Sequence, residues 1–169
     1  TLFGVLRLSN TGISSLTGYD FPKDLEELVL DNNPIDTFSA IPSISSLKSL
    51  SVSRTKISSV KGFPRFCSLR EINVTNTPLA SKRNYRISLL CACPSLKKID
   101  GGNVTTLERR MATEYSDTAR RAILLGWEPV YPEPSIKRME AILKSFPVEP
   151  VSRQVKPKGI KLSEYLKKT

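Results

Sequence analysis

The chain has 169 residues, 39% of them hydrophobic, and a formal net charge of +10. That length suits one domain with its own core, and the apolar share lies above that of a disordered chain. No apolar stretch approaches the ~20 residues that span a bilayer, no basic-then-apolar leader opens the chain, and histidine, the commonest general base and zinc ligand, is absent.

Thr1 falls almost directly before a repeat with no capping segment, so a fragment or a trimmed terminus is expected. Four segments then align without gaps: Phe3-x-x-Leu6-x-Leu8-x-x-Thr11-x-Ile13, Leu25-x-x-Leu28-x-Leu30-x-x-Asn33-x-Ile35, Leu47-x-x-Leu50-x-Val52-x-x-Thr55-x-Ile57 and Leu69-x-x-Ile72-x-Val74-x-x-Thr77-x-Leu79. Successive starts lie 22 residues apart, and the match continues through Leu16, Phe38 and Val60 and then Tyr19, Ile41 and Phe63. In Leu-x-Leu, alternate side chains point to one side, as a short strand requires. One unit cannot enclose its own apolar side chains, whereas stacked units bury a continuous column. The pattern predicts an α/β solenoid of leucine-rich repeats, with five short parallel strands on a concave face. The convex side, interrupted by Pro22, Pro42 and Pro64, is predicted to be irregular or made of short helical turns. Asn33 fills a ladder position where an amide bonds to neighbouring turns; Thr11, Thr55 and Thr77 replace it elsewhere, which predicts a less regular ladder.

Alternation in the strands names the residues that face outward on the concave side: Val5, Arg7 and Ser9; Glu27, Val29 and Asp31; Ser49, Ser51 and Ser53; Glu71, Asn73 and Thr75; then Lys98 and Asp100. The candidate partner-binding set among them is Arg7, Glu27, Val29, Asp31, Ser51, Ser53, Glu71, Asn73, Thr75 and Lys98. Arg7 is the only residue there of the types that usually anchor an interface. A flat solvated sheet is therefore one reading, and close approach of a partner helix over small residues is the other. Charge is uneven: residues 1–47 carry two basic and six acidic groups, a net of −4, and residues 48–100 carry eleven and two, a net of +9. In the basic half, Lys82, Arg83, Arg86, Lys97 and Lys98 are candidates to meet phosphates, as in RNA, with a plain charged surface as the alternative.

After the fourth unit the period breaks, with 27 residues from Leu69 to the next match at Leu96. The insertion Lys82–Leu90 has a helical look, with Tyr85, Leu89 and Leu90 on one side. Cys67, Cys91 and Cys93 lack disulfide or zinc-knuckle spacing and read as fillers of a packed interior. Thr105 and Glu108 have the spacing of a helix capping box.

Asn84-Tyr85-Arg86, Pro94-x-Leu96-x-x-Ile99-Asp100-Gly101, Val104 and Glu108-Arg109 together resemble the C-terminal cap motif of intracellular leucine-rich-repeat proteins with 22-residue units. That group includes the spliceosomal A-prime protein and the leucine-rich regulatory subunit of protein phosphatase one. The resemblance implies an intracellular, nuclear or cytoplasmic binding protein without catalytic activity or cofactor. A chain that is monomeric on its own, with a protein partner and neither a membrane nor a small-molecule substrate, is the accompanying expectation. The expected function is a protein-binding scaffold. The alternatives are a ribonucleoprotein component that binds an RNA-recognition-motif protein and contacts RNA, and a phosphatase regulatory subunit.

Beyond the cap, residues 107–126 are predicted as one helix with the stripe Leu107, Met111, Tyr115, Ala119, Ala122 and Ile123. An extended linker follows, whose Trp127 and Tyr131 are expected to fold against the solenoid's end. Ser135 caps a second predicted helix with Ile136, Met139, Ile142, Leu143 and Phe146 on one face, ended by Pro147. The predicted organisation is a capped solenoid over 1–112, a helical extension over 113–146 packed on or near the cap, and a mobile basic tail over 147–169.

Overall fold

The computed structural model describes residues 4–147, so Phe3 and nearly all of the basic tail lie outside the described residues. Six strands form one sheet in chain order: β1 (Val5–Arg7), β2 (Glu27–Val29), β3 (Ser49–Ser51), β4 (Glu71–Asn73), β5 (Lys98–Ile99) and β6 (Gly102–Asn103). The first five pair in parallel, one strand per repeat. The sixth was not expected. Asp100 and Gly101 take positive φ and reverse the chain, so β6 pairs antiparallel to β5.

The column of buried side chains follows the repeat. In the second unit Leu25, Leu28, Leu30, Ile35, Phe38, Ile41 and Ile44 are all in the core. Burying each is worth ~1.5–3 kcal/mol, and only the neighbouring turns supply the apolar cover. The convex side is built of turns with two single 3-10 turns, Phe38–Ala40 and Leu79–Ser81. A hydroxyl opens three successive convex turns: Ser15, Thr37 and Ser59 each accept from the backbone N–H two residues on. Beneath them Phe38, Phe63 and Phe66 stack with centroids 4.7 and 5.6 Å apart.

The ladder is uneven in the way its residue types dictate. Asn33 Oδ1 accepts from the backbone N–H groups of Thr11 (3.1 Å) and Ile13 (3.2 Å). Its Nδ2 donates to the carbonyls of Leu8 and Leu30, both at 2.9 Å. One amide thus bridges two repeats. Thr55 and Thr77 reach only their own repeat, at Val52 O (2.8 Å) and Val74 O (2.6 Å). There the backbone makes the joint, with Lys56 N donating to Ile35 O and Leu79 N to Ile57 O.

The C-terminal side is helical: α1 (Tyr85–Ala92), α2 (Thr106–Glu114), α3 (Asp117–Leu124) and α4 (Ile136–Ser145). The single helix predicted over 107–126 is two helices. Tyr115 turns to extended backbone at ψ 138°, and Ser116 caps α3 by accepting from Ala119 N. This break lets the Tyr115 ring become buried (5% exposed) while its hydroxyl donates to Val130 O at 2.8 Å. Burial pushes that phenol up to about 12, with smaller contributions from Cys91, Glu133 and Tyr131. Leu107 (63% exposed) and Ile136 (77% exposed) leave their predicted stripes, because each sits in the first turn of its helix beyond the packed surface.

Helix α1 packs against α2 and α3, and α3 against α4. The end of the column is closed by Tyr115, Ala119, Ala122, Ile123 and Met139, with Trp127 packed half-buried against it. Tyr131 does not seal: it is 53% exposed and its hydroxyl donates to Glu114. The capping box is half formed. Thr105 accepts from Glu108 N, but the Glu108 carboxylate turns to Arg86 instead of back to Thr105. Of the cysteines only Cys93 is buried; Cys91 is half-buried and Cys67 exposed, so Cys67 is not the interior filler it was expected to be.

The candidate binding face

The strand register stacks the outward residues in rows across the repeats. Val5, Glu27, Ser49, Glu71 and Lys98 form one row, and Arg7, Val29, Ser51 and Asn73 another. Between the rows Leu28, Leu50, Ile72 and Ile99 turn into the core. Rungs ~4.8 Å apart are what adjacent strands impose. Arg7, Glu71 and Lys98 are exposed, Glu27, Val29, Asp31, Ser51, Asn73 and Thr75 are half-buried, and Ser53 is buried.

That burial reflects hydrogen bonds running sideways across the strands. Asp31 Oδ1 accepts from Ser51 Oγ (2.6 Å) and Ser53 N (2.9 Å). The Ser53 and Thr75 hydroxyls lie 2.9 Å apart, and Asn73 Oδ1 accepts from Thr75 Oγ1 at 2.8 Å. At the cap, Asp100 accepts from Val74 N (2.7 Å) on one oxygen and from the Tyr85 hydroxyl (2.7 Å) on the other. Partial burial, then this bond to Asp100, raises the Tyr85 phenol above its ordinary value. Asp31, Ser51, Ser53, Asn73 and Thr75 are therefore bonded to one another before any partner arrives. Sequence spacing placed these residues on one face, but the lateral bonding depends on rotamers that spacing does not carry.

The five basic candidates separate. The Arg86 guanidinium is built into the cap: Nε donates to Glu108 (3.1 Å), Nη1 to Ile99 O (2.8 Å) and Nη2 to Asn103 O (3.2 Å). It welds α1 to the β5–β6 hairpin and α2, so its donors are engaged in structure. Lys82 lines a convex crevice with Ser59, Leu79 and Trp127. Arg83 is exposed beside it in sequence, at the entry to α1. Lys97, just before β5, and Lys98, its first residue, are exposed, with Lys98 Nζ 3.8 Å from Glu71. Among the described residues no group of three or more Cys, Asp or Glu side chains is placed to hold a metal ion. No helix among them is long and apolar enough to cross a membrane.

No protein-family model matches the chain, and no curated protein sequence does either. Among solved structures, the chain is similar to one from the Drosophila melanogaster SNF/U2A' complex. There it shares 22% identity and a TM-score of 0.57 over 68% of each chain. It also matches the Chaetomium Mex67:Mtr2 subunits, at 18% identity over 66% of this chain and 89% of that one, with a TM-score of 0.45. With its 22-residue period, parallel one-strand-per-repeat sheet and capped end, the chain is a leucine-rich-repeat solenoid.

Proposed function

We propose that this solenoid is a non-catalytic interaction scaffold that takes a protein partner on its concave sheet. The observation that carries the reading is the hydrogen-bonded polar surface at the ends of β2 to β4, where Asp31, Ser51, Ser53 and Thr75 are linked across repeats and Asn73 is bonded to Thr75 within its own. Side chains already bonded to one another have less freedom left to lose when a partner binds. The small central residues admit close approach, and Arg7 and Val29 at one side with Glu71 and Lys98 at the other supply larger and charged contacts. The likeness in fold to a chain from a complex of SNF with U2A' supports a protein partner of this kind. The same reading has the scaffold act in the nucleus or cytoplasm.

The test is a tagged pull-down with the wild-type chain and two variants. Ser51→Arg places a long cation on the concave face, and Lys56→Glu changes an exposed position outside it. The proposal expects a partner that survives nuclease, is lost with Ser51→Arg and is kept with Lys56→Glu. Retention of every partner by Ser51→Arg, with its fold intact by circular dichroism, would overturn it.

A further inference from the structure

At the corner where each turn enters its strand, the fold stacks one residue per repeat. Lys48 N donates to Glu26 O (2.7 Å), Arg70 N to Lys48 O (2.8 Å) and Lys97 N to Arg70 O (2.7 Å). Residues 26, 48, 70 and 97 are therefore successive rungs of one edge, and each follows a buried leucine that points into the core. From the second rung onward the row is basic. Arg109 adds to it, donating from Nη1 to Pro94 O and from Nη2 to Leu96 O, both at 2.8 Å, which lays its guanidinium against the backbone just before Lys97. Lys48 is paired with Glu26 at 3.0 Å. Among the described residues no carboxylate pairs with Arg70, Lys97 or Arg109.

We propose that this edge is a track for the phosphodiester backbone of a nucleic-acid duplex, with Arg70 and Lys97 as its main contacts and Lys48 and Arg109, whose Nη groups already hold backbone carbonyls, at its margin. The proposal is independent of the concave-face reading, since these side chains lie at the corner of the solenoid and not on the sheet. Regular rungs ~4.8 Å apart suit a ligand whose charge repeats along a line. The adjoining corner positions, Ser46, Ser68 and Ser95, are small, and two of their hydroxyls are spent on the carbonyls of Leu25 and Leu69. The row thus offers neither the aromatic platform on which unpaired bases stack nor the apolar anchor that an acidic protein segment would need. What remains is phosphate contact, which positions a duplex without reading its sequence.

The experiment measures fluorescence anisotropy of a labelled 20-base-pair RNA duplex with the full chain between 50 and 200 mM salt. The double variant Arg70→Glu/Lys97→Glu is compared with Lys137→Glu/Lys144→Glu, two exposed α4 positions that change net charge by the same amount. Because both variants keep the lysines of residues 148–169, the contribution of that segment cancels. Each phosphate contact contributes about 0.9 to the slope of log affinity against log salt. The track variant should therefore lose about 2 from the slope and more than tenfold in affinity, with the α4 variant within about twofold of wild type. Neutralising Lys97→Gln alone should give about half the change in slope. Equal weakening by both double variants would reduce the effect to net charge and overturn the proposal. Displacement of the duplex by poly-glutamate of matched charge at the same concentration would also overturn it, by assigning the row to acidic protein.

Discussion

Replacing Asn33 by alanine probes how one amide couples two repeats. Asn33 is 3% exposed, and its loss leaves the N–H groups of Thr11 and Ile13 and the carbonyls of Leu8 and Leu30 without this partner. Leu8 O keeps a bond from Thr11 Oγ1, and the half-exposed Thr11 N–H can turn to water. Two groups are then stranded, and at about 1–3 kcal/mol each the cost is about 3–4 kcal/mol. That is a large part of an ordinary domain's 5–15 kcal/mol. Threonine at the same place should cost about 2 kcal/mol, because Thr55 and Thr77 show that it bonds its own repeat's carbonyl and nothing across the joint. Urea unfolding, with m of about 2 kcal/mol/M, should place the alanine midpoint about 1.5–2 M below wild type and the threonine midpoint between them. Hydrogen exchange should rise first in residues 5–13. If alanine costs less than about 1 kcal/mol, or threonine as much as alanine, the amide does not couple the repeats and the reasoning fails.

Three further expectations follow from particular side chains. Arg54 holds φ 56° at the position that Asn10, Asn32 and Asn76 fill in the other repeats, so Arg54→Asn should stabilise by about 0.5–1 kcal/mol, seen as a higher melting temperature. Arg86→Ala should destabilise by about 2–3 kcal/mol through loss of charge-assisted bonds to Ile99, Asn103 and Glu108, and Arg86→Lys should recover only part, since an ammonium cannot fork; thermal melts of both decide it. The Tyr115 phenol is raised from 10.0 to about 12 by burial. Its neutral form is therefore favoured in the fold: its contribution is complete below pH ~10 and is lost as pH climbs toward ~12. Tyr115→Phe should flatten that alkaline loss in a urea titration run against pH.

The repeat was legible because a solenoid writes its core as a period: inward leucines at equal spacing leave no other fold able to bury them together. The same alternation gave the outward rows in the register the strands adopt. Other signals stood in the sequence unread. Asn10, Asn32 and Asn76 recur at the repeat interval because each turn takes positive φ there, which asparagine tolerates. Ser116-Asp117 marked a new helix start, but the continuous apolar stripe from Met111 to Ile123 outweighed it; only the chance to bury Tyr115 against the linker shows why the chain breaks. The fate of Arg86 could not be read at all, since its partners Ile99 O and Asn103 O belong to a hairpin made by Asp100 and Gly101. Along the basic edge, Lys48 and Arg70 sat at equal spacing with Lys97 offset by the insertion, and only the backbone ladder shows that the three are neighbours.

The most direct test of the scaffold account places a photo-cross-linking amino acid at Ser51 or Asn73 on the concave sheet, and at Ser43 or Arg65 on the convex side, in cells that make the chain. The account predicts one shared protein adduct from positions 51 and 73, resistant to nuclease, and none of that mass from 43 and 65. Adducts from the convex positions alone would contradict it.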